Sequence, residues 1–196
     1  MQKPYSESCD QNKLFILSVI KPLLVNCSEI LEVGSGTGQH AIYFAEEMPH
    51  LCWHCSDCDE YISGINQWIK ESGVANVLAP VILDVSVEWP KSTFDAVFTA
   101  NSVHIMHFKD VVNLFKGVTQ VLNEGGHFLI YGPFNYNGSY TSPSNESFDQ
   151  WLKNRDVLSG IENFEDIESL AKDNGLTLVK DYEMPANNRI LHFKKL

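Results

Sequence analysis

The segment Leu31-Glu32-Val33-Gly34-Ser35-Gly36-Thr37-Gly38-Gln39-His40 constrains the fold of this chain more than any other stretch. Three glycines at strict alternate spacing follow the apolar pair Ile30-Leu31, and an acid stands two places before the first of them. A short apolar run that turns on glycines and enters a helix gathers backbone N–H groups around a small space, and glycine admits a ligand close to the backbone. Dinucleotide-binding turns place their third glycine where the helix packs on the strand, in a G-x-G-x-x-G register. That register would need glycine at 39, where this chain has Gln39.

The acid sharpens the distinction. A carboxylate at Glu32 beside a pyrophosphate would place two anions in one low-dielectric site, whereas a cation there is favoured. S-adenosylmethionine carries an ammonium and a sulfonium and no phosphate. An acid followed by x-G-x-G-x-G resembles motif I of the class I S-adenosylmethionine-dependent methyltransferases. The resemblance implies that Glu32 orients the amino-acid end of the cofactor, directly or through water, and that Gly34, Ser35, Gly36 and Gly38 admit its backbone.

Apolar period and punctuation alternate between helix and strand along the chain. A helix is expected over 12–25, strands over 28–33, 51–56, 81–83, 94–100 and 127–131, and helices over 38–48, 61–72 and 108–122. The Gly-, Pro-, Ser- and Asn-rich stretch 132–147 reads as a long loop, followed by helices over 148–154 and 163–173 with Asn163 as cap. Strands over 176–184 and 189–194 are joined by so short a link that they must pair antiparallel. Right-handed crossovers make the first five strands a parallel sheet covered on both faces. The class I resemblance implies a Rossmann-like three-layer α/β sandwich with a seven-stranded sheet in order 3-2-1-4-5-7-6. No repeat, low-complexity tract or second core is apparent, so one domain over 1–196 is expected, with a helical segment at 1–27 and a lid and acceptor region at 132–160.

Ligands of open α/β sheets sit beyond the carboxyl ends of the strands. Asp57 ends the second strand, 23 positions after Gly34, near the spacing expected for an acid that binds ribose hydroxyls, with Asp59 as the fallback. Asp84 follows the third strand. The resemblance implies that Asp84 and the Val85 backbone meet the adenine, while a helix N-cap is the equal alternative for Asp84. The fourth strand leads into Asn101-Ser102-Val103-His104, which in the resembling enzymes lies under the methionine moiety and faces the acceptor. This tetrad lacks the two prolines and the aromatic residue of the enzymes that methylate exocyclic amino groups of DNA. His104 is the candidate proton acceptor, with a structural histidine as the alternative, and His107 is a weaker candidate.

His50, Cys52, His54, Cys55 and Cys58 suggest zinc by residue type. Alternation along a strand sends Cys52 and Cys55 to opposite faces, so buried thiols are expected and no metal site. In the loop, Tyr131, Phe134, Tyr136 and Tyr140 offer aromatic surface and Asn135, Asn137 and Asn145 polar contacts, the mixture of a small-molecule pocket; half of these aromatics are expected to pack the lid instead.

The formal net charge of −11, with two arginines, disfavours a nucleic-acid partner, whose phosphates need Lys and Arg. The polar start and the short apolar run at 14–25, interrupted by Lys21-Pro22, read as a soluble cytoplasmic protein without a membrane segment. Tyr5 to Asn12, Trp89-Pro90, His104-Ile105, Tyr131-Gly132-Pro133-Phe134, Phe148-Asp149 and Pro185-Ala186-Asn187-Asn188 together resemble a domain-of-unknown-function family of methyltransferase-like proteins, from which the chain departs at Cys55, Cys58 and Glu60. The expectation is methyl transfer from S-adenosylmethionine to a small molecule. The rivals are a non-catalytic cofactor-binding partner protein, a nicotinamide-dependent oxidoreductase, and a methyltransferase acting on a basic protein.

Overall fold

The computed structural model describes residues 3–196, so the first two residues of the expected N-terminal segment lie outside the described residues. Seven strands, β1 (Glu29–Val33), β2 (Cys52–Asp57), β3 (Val77–Ile82), β4 (Phe94–Ala100), β5 (Leu122–Gly132), β6 (Leu176–Met184) and β7 (Asn188–Lys195), form one sheet in the order 3-2-1-4-5-7-6. β1 to β5 run parallel and β7 pairs antiparallel with both β5 and β6, as the short link required.

Alternate side chains of each strand enter two cores. Ile30, Phe98 and Leu129 face helices α1 (Glu7–Leu23), α2 (Gln39–Glu47) and α3 (Asp59–Ser72), where Ile16, Phe44 and Ile65 are buried. Their neighbours Leu31, Val97 and Phe128 face α4 (Phe108–Val121) and α6 (Phe164–Asp173), against Leu114, Phe115 and Ile167. This period of two buries both faces, which is why β1 and β4 read as continuous apolar runs. Chain order reverses at β1, whose neighbours are β2 and β4, and the turns after β1 and β4 diverge there.

Several boundaries differ from the sequence expectations. α1 begins five residues early, at Glu7, because Ser6 accepts a hydrogen bond from the Cys9 N–H and Glu7 and Asp10 suit a helix N-terminus. β3 begins at Val77 rather than 81; as an edge strand it tolerates Pro80. β5 takes in Gly125-Gly126, which lie beside a register shift against β4 rather than between two elements. A fifth helix, α5 (Pro143–Arg155), starts inside the expected loop, with Ser142 accepting from the Asn145 N–H and proline in the first turn. Asn163 does occupy the cap position of α6, but its side chain donates to Asp166 instead of capping the helix N–H groups.

The β3–β4 crossover has no helix. Its residues are held down by buried Trp89, which donates to the Val85 carbonyl at 3.2 Å and lies flat on Gly117 of α4. A Cβ at Gly117 would stand 1.8 Å from the indole. Gly117→Ala gains about 1 kcal/mol of helix propensity but must displace the ring, and overpacking costs about 1–3 kcal/mol. The variant is expected to be less stable in urea unfolding, with weakened order over 84–90; a stabilised protein would contradict the packing.

Candidate functional site

The turn after β1 is built on a buried carboxylate. Glu32 is 1% exposed, and its Oε2 accepts from Ser35 Oγ at 2.9 Å and from the indole N–H of Trp53 at 3.1 Å. Its Oε1 accepts from none of the described residues. Burial pushes the Glu32 carboxyl up to about 7, against the lowering effect of those two donors. The turn is tied to β2 by the Gly34 and Ser35 N–H groups, which both donate to the Ser56 carbonyl at 3.0 Å. Gly36 has φ +58°, and a Cβ there would meet nothing within 4 Å, so the turn is open at this point. Gly38, at φ +88°, carries α2 so close to α3 that a Cβ would stand 3.2 Å from the Ile65 backbone.

Asp57, at the end of β2, lies against this opening. Its Oδ2 accepts from the Gly36 N–H at 2.6 Å and its Oδ1 from the Cys58 N–H at 2.7 Å. Burial raises its carboxyl, offset by the two backbone donors. Asp59 stands apart in the first turn of α3. Asp84 lies two residues past β3 and is exposed; its Oδ1 accepts from both the N–H and Oγ of Ser86. The expected alternative, a helix N-cap, is not realised, because the crossover contains a turn and no helix. Val85 packs partly buried against the α4-side core, leaving its backbone at the turn.

β4 leads into Asn101, which adopts a left-handed φ of +57° and donates its N–H to the Tyr131 carbonyl at 2.9 Å. Ser102 abuts the glycine turn: a Cβ on Gly34 would meet its Oγ at 2.5 Å. His104 is 5% exposed, burial pushes it down to about 4, and its ring meets Phe148 edge-on at 5.1 Å. His107, by contrast, is spoken for by Asp156 at 2.7 Å. Asn101, His104 and Tyr131 line a cavity of about 690 Å³ whose other walls include Asn12 and Phe15 of α1, Tyr61, and Phe148, Trp151 and Arg155 of α5. The glycine turn and Asp57 are not among its lining residues, while Ser102, between the lining residues Asn101 and His104, abuts Gly34 of the turn.

The loop residues expected to form the acceptor wall mostly do not reach this cavity. Phe134 is buried in the α4-side core, Tyr136 donates to Asp181 at 2.6 Å, and Tyr140 donates to Asp149 at 2.7 Å. Asn135 donates to the Ile161 carbonyl, Asn137 sits in a tight turn, and Asn145 bonds Thr141 and the Asn187 carbonyl. Tyr131 alone of these lines the cavity; the polar groups of the loop are taken by Asp181, Asp149 and the carbonyls of Ile161 and Asn187. The aromatic wall comes from α1 and α3, together with α5, which falls within the expected acceptor region at 132–160.

Sequence reasoning also passed over Gln39 and Asn12. Gln39 accepts from the Ser6 N–H at 2.5 Å and donates to the Ser6 carbonyl at 3.2 Å, fastening the start of α1 over the glycine turn. Asn12 bonds the buried His40 ring at 2.7 Å. The available signal was the non-glycine at position 39. Cys52 and Cys55 do face opposite sides, Cys55 in the α1-side core. Glu29, from the adjacent strand, lies with Cys52 and His54 so that one ligand atom of each falls within 4.8 Å of the others, and His54 already bonds Glu29 at 2.5 Å. No helix among the described residues is long and apolar enough to cross a membrane.

The Glu32 environment has a stability consequence with a defined sign. Its carboxyl is raised from 4.5 to about 7 in the folded chain, so the folded state holds the proton longer than the unfolded one and loses stability as pH rises through that window. Glu32→Gln keeps an acceptor for Trp53 without the charge. The stability of the variant relative to the native chain is expected to rise between pH 4.5 and about 7, by about 3 kcal/mol, and then level off. Urea unfolding across this range checks it; a constant difference would mean the carboxylate is not desolvated.

The uncharacterized methyltransferase YcgJ of Bacillus subtilis (strain 168) is 25% identical over 138 residues, 66% of this chain and 53% of that one. An O-methyltransferase family protein from Burkholderia thailandensis superposes with a TM-score of 0.83 at 13% identity, covering 93% of this chain and 56% of its own. The S-adenosylmethionine-dependent methyltransferase SibL gives 0.81 at 19% identity, covering 96% and 55%. The chain thus shares the Rossmann-like fold of these methyltransferases and spans about half the length of each of these relatives. Its match to a family model from residue 3 to residue 195 shows that the chain belongs to the family described as Protein of unknown function (DUF938).

Proposed function

We propose that this chain is a single-domain, cytoplasmic methyltransferase that uses S-adenosylmethionine to methylate a small molecule held in the 690 Å³ cavity. The observation that carries the reading is the pair of acids around an open glycine turn: buried Glu32, bonded to Ser35 of the turn, and half-buried Asp57, bonded to the Gly36 N–H at 2.6 Å. Such a pocket suits a cation and resists a pyrophosphate. The names of the relatives, YcgJ and SibL among them, point the same way.

When bound, S-adenosylmethionine supplies a methyl group on a sulfonium, already a good leaving group. The protein's task is therefore alignment and exclusion of water. Glu32 Oε1, which accepts from none of the described residues, takes the ammonium. Gly34, Ser35, Gly36 and Gly38 admit the cofactor backbone, Asp57 accepts from the ribose, and Asp84 Oδ2 with the Val85 backbone meets the adenine. Asn101, which lines the cavity just past the end of β4, lies under the methionine end of the cofactor. His104, kept neutral by burial, accepts a hydrogen bond from the acceptor's nucleophilic group and orients its lone pair. The 132–160 region bounds the acceptor through α5.

Calorimetry with the methyl donor and its demethylated product tests the reading. The donor, which alone carries the sulfonium, is expected to bind more tightly than the demethylated product; both keep the α-ammonium, so binding of either should release a proton near pH 7 as that cation draws Glu32 into its charged form. Donor affinity should fall as pH drops below about 7, and in Glu32→Gln proton release should vanish. Gly36→Val, at φ +58°, is expected to weaken binding about tenfold or more. No detectable binding of either form, or label transfer to a metabolite extract that survives Gly36→Val, would overturn the proposal.

A further inference from the structure

The cavity is unlike the rest of this chain in charge. The formal net charge is −11, yet the cavity presents one guanidinium, Arg155, and one carboxylate, Asp156. Asp156 is occupied: Oδ2 bonds His107 at 2.7 Å and Oδ1 accepts from the Leu158 N–H at 3.0 Å. Of the two arginines, Arg189 is paired with Asp181 at 2.7 Å and with Glu183 at 3.3 Å. Arg155 makes no ion pair or side-chain hydrogen bond among the described residues; it lies over Trp151, 4.6 Å from the ring centre. A guanidinium stacked on a ring keeps its edge N–H donors for a planar, two-oxygen partner.

The aromatic surface is ordered with respect to that cation. Phe148, Trp151 and Arg155 follow one face of α5 at i, i+3 and i+7. Trp151 stacks on Phe148 with centroids 5.8 Å apart and planes 16° from parallel, and Phe148 meets His104 at 5.1 Å. The row therefore runs from Arg155 at one end to His104, beside Asn101 and the cofactor space, at the other. Phe15 and Tyr61 also line the cavity with about half of their surface open, 49% and 46%, as does Trp151 at 49%. Large aromatics left half open beside a concave space are surface that a flat apolar ligand would cover.

We infer that the acceptor is a planar aromatic acid, its ring laid along Phe148 and Trp151, its carboxylate on Arg155 and its nucleophilic group at His104. This rests on the methyltransferase reading for the direction in which the nucleophile points. The flat shape comes from the aromatic row, the negative charge from a guanidinium with no ion pair among the described residues of an acidic protein, and the order of the two ends from Arg155 at the end of α5 and His104 against Phe148.

The test measures binding of para-hydroxybenzoate and hydroxynaphthoate, each beside its carboxamide, by calorimetry on the protein loaded with the demethylated cofactor and on the protein alone. Each acid is expected to bind about tenfold or more tightly than its amide, the scale of a charge-assisted hydrogen bond. Arg155→Gln should bring the acid down to the amide's level, and Arg155→Lys should keep part of the preference. Retained cofactor-product binding shows that the variants fold. Equal affinity for acid and amide, equal loss of both in Arg155→Gln, or binding of neither at millimolar concentration would overturn the inference. Failure of cofactor binding would instead strike the methyltransferase reading, and the acid-to-amide comparison on the protein alone would still decide this one.

Discussion

The turn after β1 depends on one buried carboxylate. Glu32 lies on a central strand with its oxygen bonded to Ser35 of the turn and Trp53 of the neighbouring strand. An acid buried so completely would ordinarily be replaced by an apolar residue, since desolvation costs more than two neutral donors return. Its retention at the bottom of a turn that Gly36 leaves open makes sense if the missing interaction comes from a cation above. The same residue thus destabilises the empty protein near neutral pH, a cost that the proposed cation-binding role would offset. This is the usual form of a compromise between stability and function.

Around that point the turns after β1 and β2 meet, where Asp57 bonds the Gly36 N–H, whereas Asn101 and His104 line a cavity walled in part by α1 and α5. The Ser102 hydroxyl against Gly34 brings the segment after β4 up to the glycine turn. The start of α1 closes the arrangement, because Gln39, the residue that departs from the dinucleotide register, bonds both backbone groups of Ser6.

Legibility followed interaction range. The strands of the central sheet and the helices α2, α3, α4 and α6 were readable because their apolar period reflects burial on a sheet. Boundaries failed where local chemistry was overruled or overlooked: at β3, where an edge position accommodates Pro80, and at α5, where a Ser-Pro start hid in a polar stretch. The glycine turn and its acids were legible as a motif because their geometry is set within the segment from Leu31 to Asp57. The loop aromatics misled: Tyr136 and Tyr140 are bound to Asp181 and Asp149, partners 45 and 9 positions away that no local pattern reveals.

From sequence alone came the alternating fold, the register of the glycine turn and the acids beside it, all consequences of backbone conformation and spacing along a few adjacent residues. Only the tertiary structure decided what stands opposite them. It brought the α1 face to the α5 face, put Arg155 and the half-open Trp151 in one cavity with His104, and turned Phe134 into the core and Tyr136 and Tyr140 to carboxylates. The physical reason is that a cofactor turn is a local backbone structure, whereas an acceptor cavity is the space left between helices far apart in the chain, whose positions are set by the packing of the whole sheet.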